Sequence, residues 1–174
     1  MPTVWRHPRP EGVAGLCVGA GSDPAVHWRR AKRLARRIQA HARRHRLAHE
    51  VITSPRQRCA DVGRWLARWG WRHRVDAALL EFDFGTWEGR RWQAIGAPAV
   101  DAWIADFAQH RPGGGESLAS LLARCAAWPE GPALIVGHGG WMLARRWALQ
   151  HPGLLPTAAQ WPAAPRYGEC WALD

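Results

Sequence analysis

The chain has a single lysine, Lys32, and carries its positive charge almost wholly on arginine. Its four cysteines, Cys17, Cys59, Cys125 and Cys170, lie far apart and form no C-x-x-C pair. That pattern argues against a disulfide framework and predicts reduced thiols, two of them on helices, in a cytosolic protein. No apolar run approaches the ~20 residues of a membrane span, and residues 1–7 lack the apolar core of a signal peptide. The expected compartment is therefore the cytoplasm, with no membrane partner. No Walker A sequence exists, and Gly19-Ala20-Gly21 lacks the third glycine of a dinucleotide loop. Asp83-Phe84-Gly85 spells a kinase motif, but no Gly-rich loop, V-A-I-K or H-R-D accompanies it. Gly115-Glu116-Ser117-Leu118-Ala119 only nearly matches G-x-S-x-G, its serine follows no strand, and the order relative to His138-Gly139-Gly140 is reversed for a serine hydrolase. Internal repeats and linkers are absent as well, so residues 1–174 are expected to form one domain.

A hydrophobic content of 47% over 174 residues points to a globular protein with a real core. The formal net charge is +10, which invites a nucleic-acid reading. Much of that charge, however, lies in the segment Arg29 to Arg46, where Ala31, Leu34, Ala35, Ile38 and Ala42 follow helical spacing. The arginines then coat the solvated face of an amphipathic helix over 24–47, and nucleic acid is not the expected partner. Such a basic field also helps to draw in a phosphorylated substrate. His41, His45 and His49 recur every four residues on this helix, but no cysteine or carboxylate completes a metal set, so a solvent-facing stripe is expected and no metal.

Short apolar runs predict strands at 3–6, 49–53, 72–75, 133–137 and 169–173. Helices are predicted at 24–47, started by Ser22 or Asp23 with Pro24 in the first turn, and at 56–69, 98–110, 116–128 and 140–150. Strands alternating with helices predict an α/β three-layer sandwich: a mostly parallel central sheet with helices on both faces. Gly113-Gly114-Gly115 and residues 152–168 read as loops.

Candidate chemistry gathers at the strand ends. His7 follows Thr3-Val4-Trp5-Arg6, and His138 follows Ala133-Leu134-Ile135-Val136-Gly137, the tips where open α/β sheets place their sites. A neutral imidazole at His7 can attack phosphorus and form a covalent intermediate. Arg6 and Arg58 can hold phosphoryl oxygens with planar, permanently charged donors. His138 would add a donor, together with the backbone amides after it, from Gly139, at a helix start. Glu81 can protonate a departing alkoxide and then activate water. Arginines and amides already offset phosphoryl charge in such a site, so no metal and no cofactor is expected.

These blocks resemble the histidine phosphatase superfamily, similar in fold to phosphoglycerate mutases, over essentially the whole chain. Arg6-His7-Pro8 resembles its R-H-G, and Ser54-Pro55-Arg56-Gln57-Arg58-Cys59-Ala60 its S-P-L-x-R-A. Glu81 to Gly89 resembles E-x-D-F-G-x-W-E-G, Pro112 to Ser117 the P-G-G-E-S loop, and Val136 to Gly140 the V-S-H-G-G strand end. The resemblance implies that His7 is the phosphorylated histidine, Glu81 the proton donor, and Arg6, Arg58 and His138 the phosphate pocket. The W-E-G form, the short chain and Gly168-Glu169-Cys170-Trp171-Ala172-Leu173 are similar to the alpha-ribazole phosphatases of cobalamin assembly. That implies hydrolysis of alpha-ribazole 5′-phosphate, the partner being a small phosphorylated metabolite. Related members hydrolyse other phosphorylated compounds, and a phosphate-binding relative without turnover is the alternative. Three positions depart from the family: Pro8 replaces glycine and loses a backbone donor, Pro10 replaces Ser/Thr, and Val13 stands where asparagine is common. Arg9 is a candidate to compensate.

Overall fold

The computed structural model describes residues 2–129, 131 and 133–173. Its sheet holds four mutually parallel strands, β1 (Thr3–Arg6), β2 (Glu50–Thr53), β3 (Arg72–Val75) and β4 (Leu134–Gly137). A fifth, β5 (Cys170–Ala172), pairs antiparallel with β1, giving the order β3-β2-β4-β1-β5. The helices are α1 (Trp28–His45), α2 (Gln57–Ala67), α3 (Trp92–Ile95), α4 (Ala97–Ala105), α5 (Leu118–Ala126) and α6 (Gly139–Gln150).

The layers follow from period-two alternation along the strands. Trp5, Val51, Leu134 and Val136 point to one face, where they pack with Ala31, Leu34, Ala35 and Ile38 of α1 and with Cys59, Val62 and Leu66 of α2. Val4, Ile52 and Ile135 point to the other, against Leu118, Leu121 and Leu122 of α5 and Trp141 and Met142 of α6. The expected three-layer, mostly parallel α/β sandwich is what the chain adopts.

The first long helix is shorter than predicted. It starts at Trp28, with the His27 ring accepting a hydrogen bond from Arg29 N at 3.2 Å, rather than at Ser22 or Asp23. Asp23 caps a different helix: its carboxylate accepts from Gln57 N at 2.8 Å, at the start of α2. Arg46 terminates α1 in the left-handed region, φ 52°, its N–H bonded back to Ala42 and Arg43 carbonyls. His49 therefore leaves the helix and stacks on Trp71, ring centroids 4.8 Å apart, and only His41 and His45 remain neighbours. The stripe Ala31, Leu34, Ala35, Ile38 and Ala42 is buried as expected. The segment predicted as one helix over 98–110 is α4, ending at Ala105, with residues 106–109 in turns.

Two glycine loops lock together beneath the strand tips. A Cβ on Gly85 would fall 2.2 Å from the Gly113 carbonyl oxygen, and one on Gly115 would fall 2.0 Å from that of Asp83. Backbone meets backbone here, so only glycine fits. Glu116 N, donating to Asp83 O at 2.9 Å, closes the junction.

Candidate active site

Chain leaves the adjacent strands β1 and β4 toward opposite faces, through α1 and α6, which opens a crevice at their C-terminal ends. His7 sits there, with its N–H donated to Gly137 O at 3.0 Å and only 4% of its surface exposed. Its Nδ1 lies 2.8 Å from the Pro8 carbonyl oxygen. A carbonyl only accepts, so Nδ1 carries the proton and the lone pair is on Nε2. Burial, then the Arg58 guanidinium, with a smaller push from Arg6, hold the His7 pKa down at about 3 against an ordinary 6.5. The imidazole is neutral at working pH.

His138 is fully buried, its ring in edge contact with His7 at 5.1 Å between centroids, and burial followed by the charges around His7 keeps it neutral too. Its Nε2 lies 2.8 Å from Ser54 Oγ, and the Cys59 thiol, pushed up by burial, lies behind it at 3.6 Å. His138 is thus placed behind His7 and outside the wall of the crevice itself.

Arg6 and Arg58 reach the crevice from opposite sides of His7 in sequence, each held by main chain. Arg58, 1% exposed, donates Nη1 to Ser22 O at 2.5 Å and Nη2 to Gly19 O at 2.9 Å, with Asp23 at 3.8 Å. Arg6 donates Nη1 to Pro165 O at 2.5 Å and lies 4.0 Å from the centre of the Tyr167 ring. Gly139 matters for the same reason: a Cβ there would stand 3.2 Å from Arg6 Nε. The Nε of each arginine finds no acceptor among the described residues.

Glu81 is 9% exposed and held at both oxygens, Oε1 by Phe82 N at 2.9 Å and Oε2 by Gly140 N at 3.1 Å. The Gly140 amide, one of those expected to face an anion, is therefore already committed to Glu81. Behind it, Arg124 donates to the carbonyls of Ala78 and Leu80, both at 2.9 Å, and pairs with Glu116 at 2.8 Å. That clamp fixes the segment presenting Glu81.

From this polar end the crevice runs on as a cavity of about 410 Å³ whose remaining wall is apolar, with Trp92, Trp103, Phe107 and Trp161 prominent. Pro10 and Val13 belong to that apolar wall. Arg9 is exposed and outside it, so it does not make good the donors lost there. His7, Glu81, Arg6, Arg58 and Gly139, chosen from the sequence, all line the cavity. Tyr167 and the tryptophans were not foreseen. Tyr167 stands in a Pro-rich loop, and only the antiparallel return of β5 along β1, with Gly168 N donating to Arg6 O at 3.1 Å, carries it to the site.

The family model of the histidine phosphatase superfamily (branch 1) matches residues 5–154. A glucosyl-3-phosphoglycerate phosphatase of Mycobacterium tuberculosis (strain ATCC 25618 / H37Rv) is 33% identical over 132 residues, 65% of this chain and 57% of the relative's length. The chain thus spans little more than half of that curated relative. The structure of mycobacterial glucosyl-3-phosphoglycerate phosphatase in complex with VO3 superposes with a TM-score of 0.73 at 26% identity, covering 97% of this chain and 89% of that one. Phosphoglycerate mutase from Thermus thermophilus gives 0.64 at 25% identity over 90% and 88% of the two chains. The alpha-ribazole phosphatase from Shigella flexneri shares the fold, with 0.73 at 21% identity over 97% and 87%. Matched by that family model over most of its length, this chain belongs to the histidine phosphatase superfamily (branch 1).

Proposed function

We propose that the protein is a phosphomonoester hydrolase working through a phosphohistidine on His7, with alpha-ribazole 5′-phosphate as its substrate. The observation that carries this reading is the division of the cavity. Its charged groups, Arg6, Arg58 and Glu81, gather around His7, and the rest of the wall is aromatic and aliphatic. A phosphoryl group held by the two guanidiniums presents phosphorus to Nε2 of His7. The P–O ester bond breaks as the N–P bond forms, and Glu81, entering as the acid, gives its proton to the departing alkoxide. Water then attacks phosphorus, Glu81 takes its proton, and orthophosphate leaves with Nε2 restored. His138, in edge contact with His7 and outside the crevice wall, backs the nucleophile's ring rather than facing the phosphoryl group. The arginines offset its charge, so turnover needs no metal.

The leaving group decides between the substrates of the relatives. A benzimidazole riboside presents a planar aromatic body, which stacks on indole and phenyl rings. Glucosyl-3-phosphoglycerate carries a carboxylate and many hydroxyls, for which the aromatic end supplies no cation among the described residues. The test compares kcat/KM for alpha-ribazole 5′-phosphate, glucosyl-3-phosphoglycerate and p-nitrophenyl phosphate, in EDTA, for wild type, His7→Ala and Trp103→Ala. The expected result is preference for the ribazole, abolition by His7→Ala, and loss of the preference in Trp103→Ala with p-nitrophenyl phosphate little changed. A preference for the sugar acid would overturn the substrate, and turnover by His7→Ala would overturn the mechanism.

A further inference from the structure

Glu88 has no part in the chemistry of His7 and Glu81, yet its carboxylate accepts three hydrogen bonds near the site. Oε1 accepts from Gly21 N at 3.1 Å and from Phe84 N at 3.2 Å, and Oε2 accepts from Ser22 Oγ at 2.7 Å. These donors belong to two segments, 19–23 and 82–84, that no regular secondary structure holds. The loop closes directly onto the carboxylate. A Cβ on Gly19 would fall 2.4 Å from Glu88 Oε1, and one on Gly21 would fall 3.0 Å from Oε2. A single loop–loop backbone bond, Ala20 N to Phe82 O at 3.0 Å, reinforces the same junction.

The loop that Glu88 grips is the one that grips Arg58. Its Gly19 and Ser22 carbonyls receive the two Nη donors, while the Gly21 N–H and the Ser22 hydroxyl of the same loop bind Glu88. A guanidinium fixed at both Nη atoms has its plane fixed, and the directions of its remaining donors are then set. A loop free to shift would let the plane turn.

We propose that Glu88 is a positioning residue for phosphate binding: its carboxylate braces segment 19–23, whose carbonyls set the orientation of the Arg58 guanidinium. This rests on the reading of Arg58 as a phosphate ligand, and it adds a group that never touches the substrate. A charged acceptor suits the position because three donors converge on one carboxylate, which neutral side chains satisfy only in part.

The experiment is calorimetric titration of orthophosphate, independent of turnover, into wild type, Glu88→Ala, Glu88→Gln, Arg58→Ala and the Glu88→Ala/Arg58→Ala double variant, with melting recorded for each. Glu88→Ala is expected to weaken orthophosphate about tenfold, the scale of one mis-set charge-assisted hydrogen bond. Glu88→Gln, which keeps an acceptor for the two amides, is expected to recover most of that loss. In the Arg58→Ala background Glu88→Ala is expected to have no further effect, because the group it acts through is gone. A merely structural role would give the same loss in both backgrounds, and that additivity would overturn the proposal. So would unchanged orthophosphate affinity in a folded Glu88→Ala protein. Failure of wild type to bind orthophosphate would instead refute the phosphate site itself, and the proposal with it.

Discussion

Substituting Gly140 by alanine displaces Glu81, the proposed proton donor, from the rest of the site with one methyl group. Gly140 is the second residue of α6, where alanine is helically favoured over glycine by up to about 1 kcal/mol, so the fold is expected to persist with an equal or slightly higher Tm. The added Cβ would stand 2.3 Å from Glu81 Oε1 and 3.2 Å from its Cδ. Ordinary contact requires roughly 3.5 Å or more, so the carboxyl must withdraw by about 1 Å. It is the far end of a flexible side chain and can do so, but it then loses the bond from Gly140 N. A displacement of that size from productive geometry is expected to reduce proton transfer about 100-fold. The loss should depend on the leaving group. An alkoxide needs the proton, whereas p-nitrophenolate departs without it. The assay is kcat/KM on alpha-ribazole 5′-phosphate and on p-nitrophenyl phosphate, expected to fall by about 100-fold and by less than about fivefold respectively. Equal losses on both substrates, or none on either, would refute the assignment of Glu81 as the acid.

Acid stability reports on the buried histidines. The folded chain refuses a proton at His7 down to pH about 3, whereas the unfolded chain accepts it near 6.5, so stability is expected to fall as pH drops through that window. His138 acts in the same direction. A His7→Gln protein should therefore show a shallower decline in urea midpoint from pH 6.5 toward 3, and an unchanged slope would contradict the shift. Trp141 is fully buried between α5 and the sheet, its Nε1 donating to Ala78 O at 2.8 Å, and Trp141→Ala should lose about 3–5 kcal/mol in urea denaturation. Arg33 and Arg36 are exposed on α1, with no ion pair to either among the described residues. Reversing both to glutamate should leave kcat and Tm nearly unchanged. Steeply salt-dependent binding of wild type to a labelled oligonucleotide, lost in this variant, would argue that the face is more than a solvated one.

The residues that could be read in advance are those whose place is set by local pattern. Val4-Trp5 and Ile135-Val136 are apolar runs too short for anything but buried strands, and a residue just past such a strand, at the sheet's C-terminal edge, sits in the crevice. His7 and, after β2, Arg58 were therefore legible, whereas His138 follows its strand into a buried place behind His7, outside the crevice wall. Asp23 misled because a carboxylate before an apolar-periodic segment is an ordinary helix cap. Here the N-terminus of α2 and the Arg58 guanidinium offered a stronger anchor 34 and 35 residues away. The amide of Gly140 was expected to bind an anion, and it does, but the anion is the chain's own Glu81. The brace at Glu88 and the lining tryptophans left no trace in periodicity, since their partners are loop backbone and rings from distant segments.

The two interlocked glycine loops have a consequence for how such a chain can change over time. Asp83 to Gly85 and Gly113 to Gly115 pass so closely that neither can acquire a side chain while the other stays where it is. Single-step drift at Gly85, Gly113 or Gly115 is closed off, because each intermediate would pry the pair apart and carry Glu81 with it. Novelty in this region must instead enter by insertion outside the junction, in the aromatic wall or in the loop after α6. The chemistry would be inherited as a fixed unit, while the choice of substrate stays free to wander.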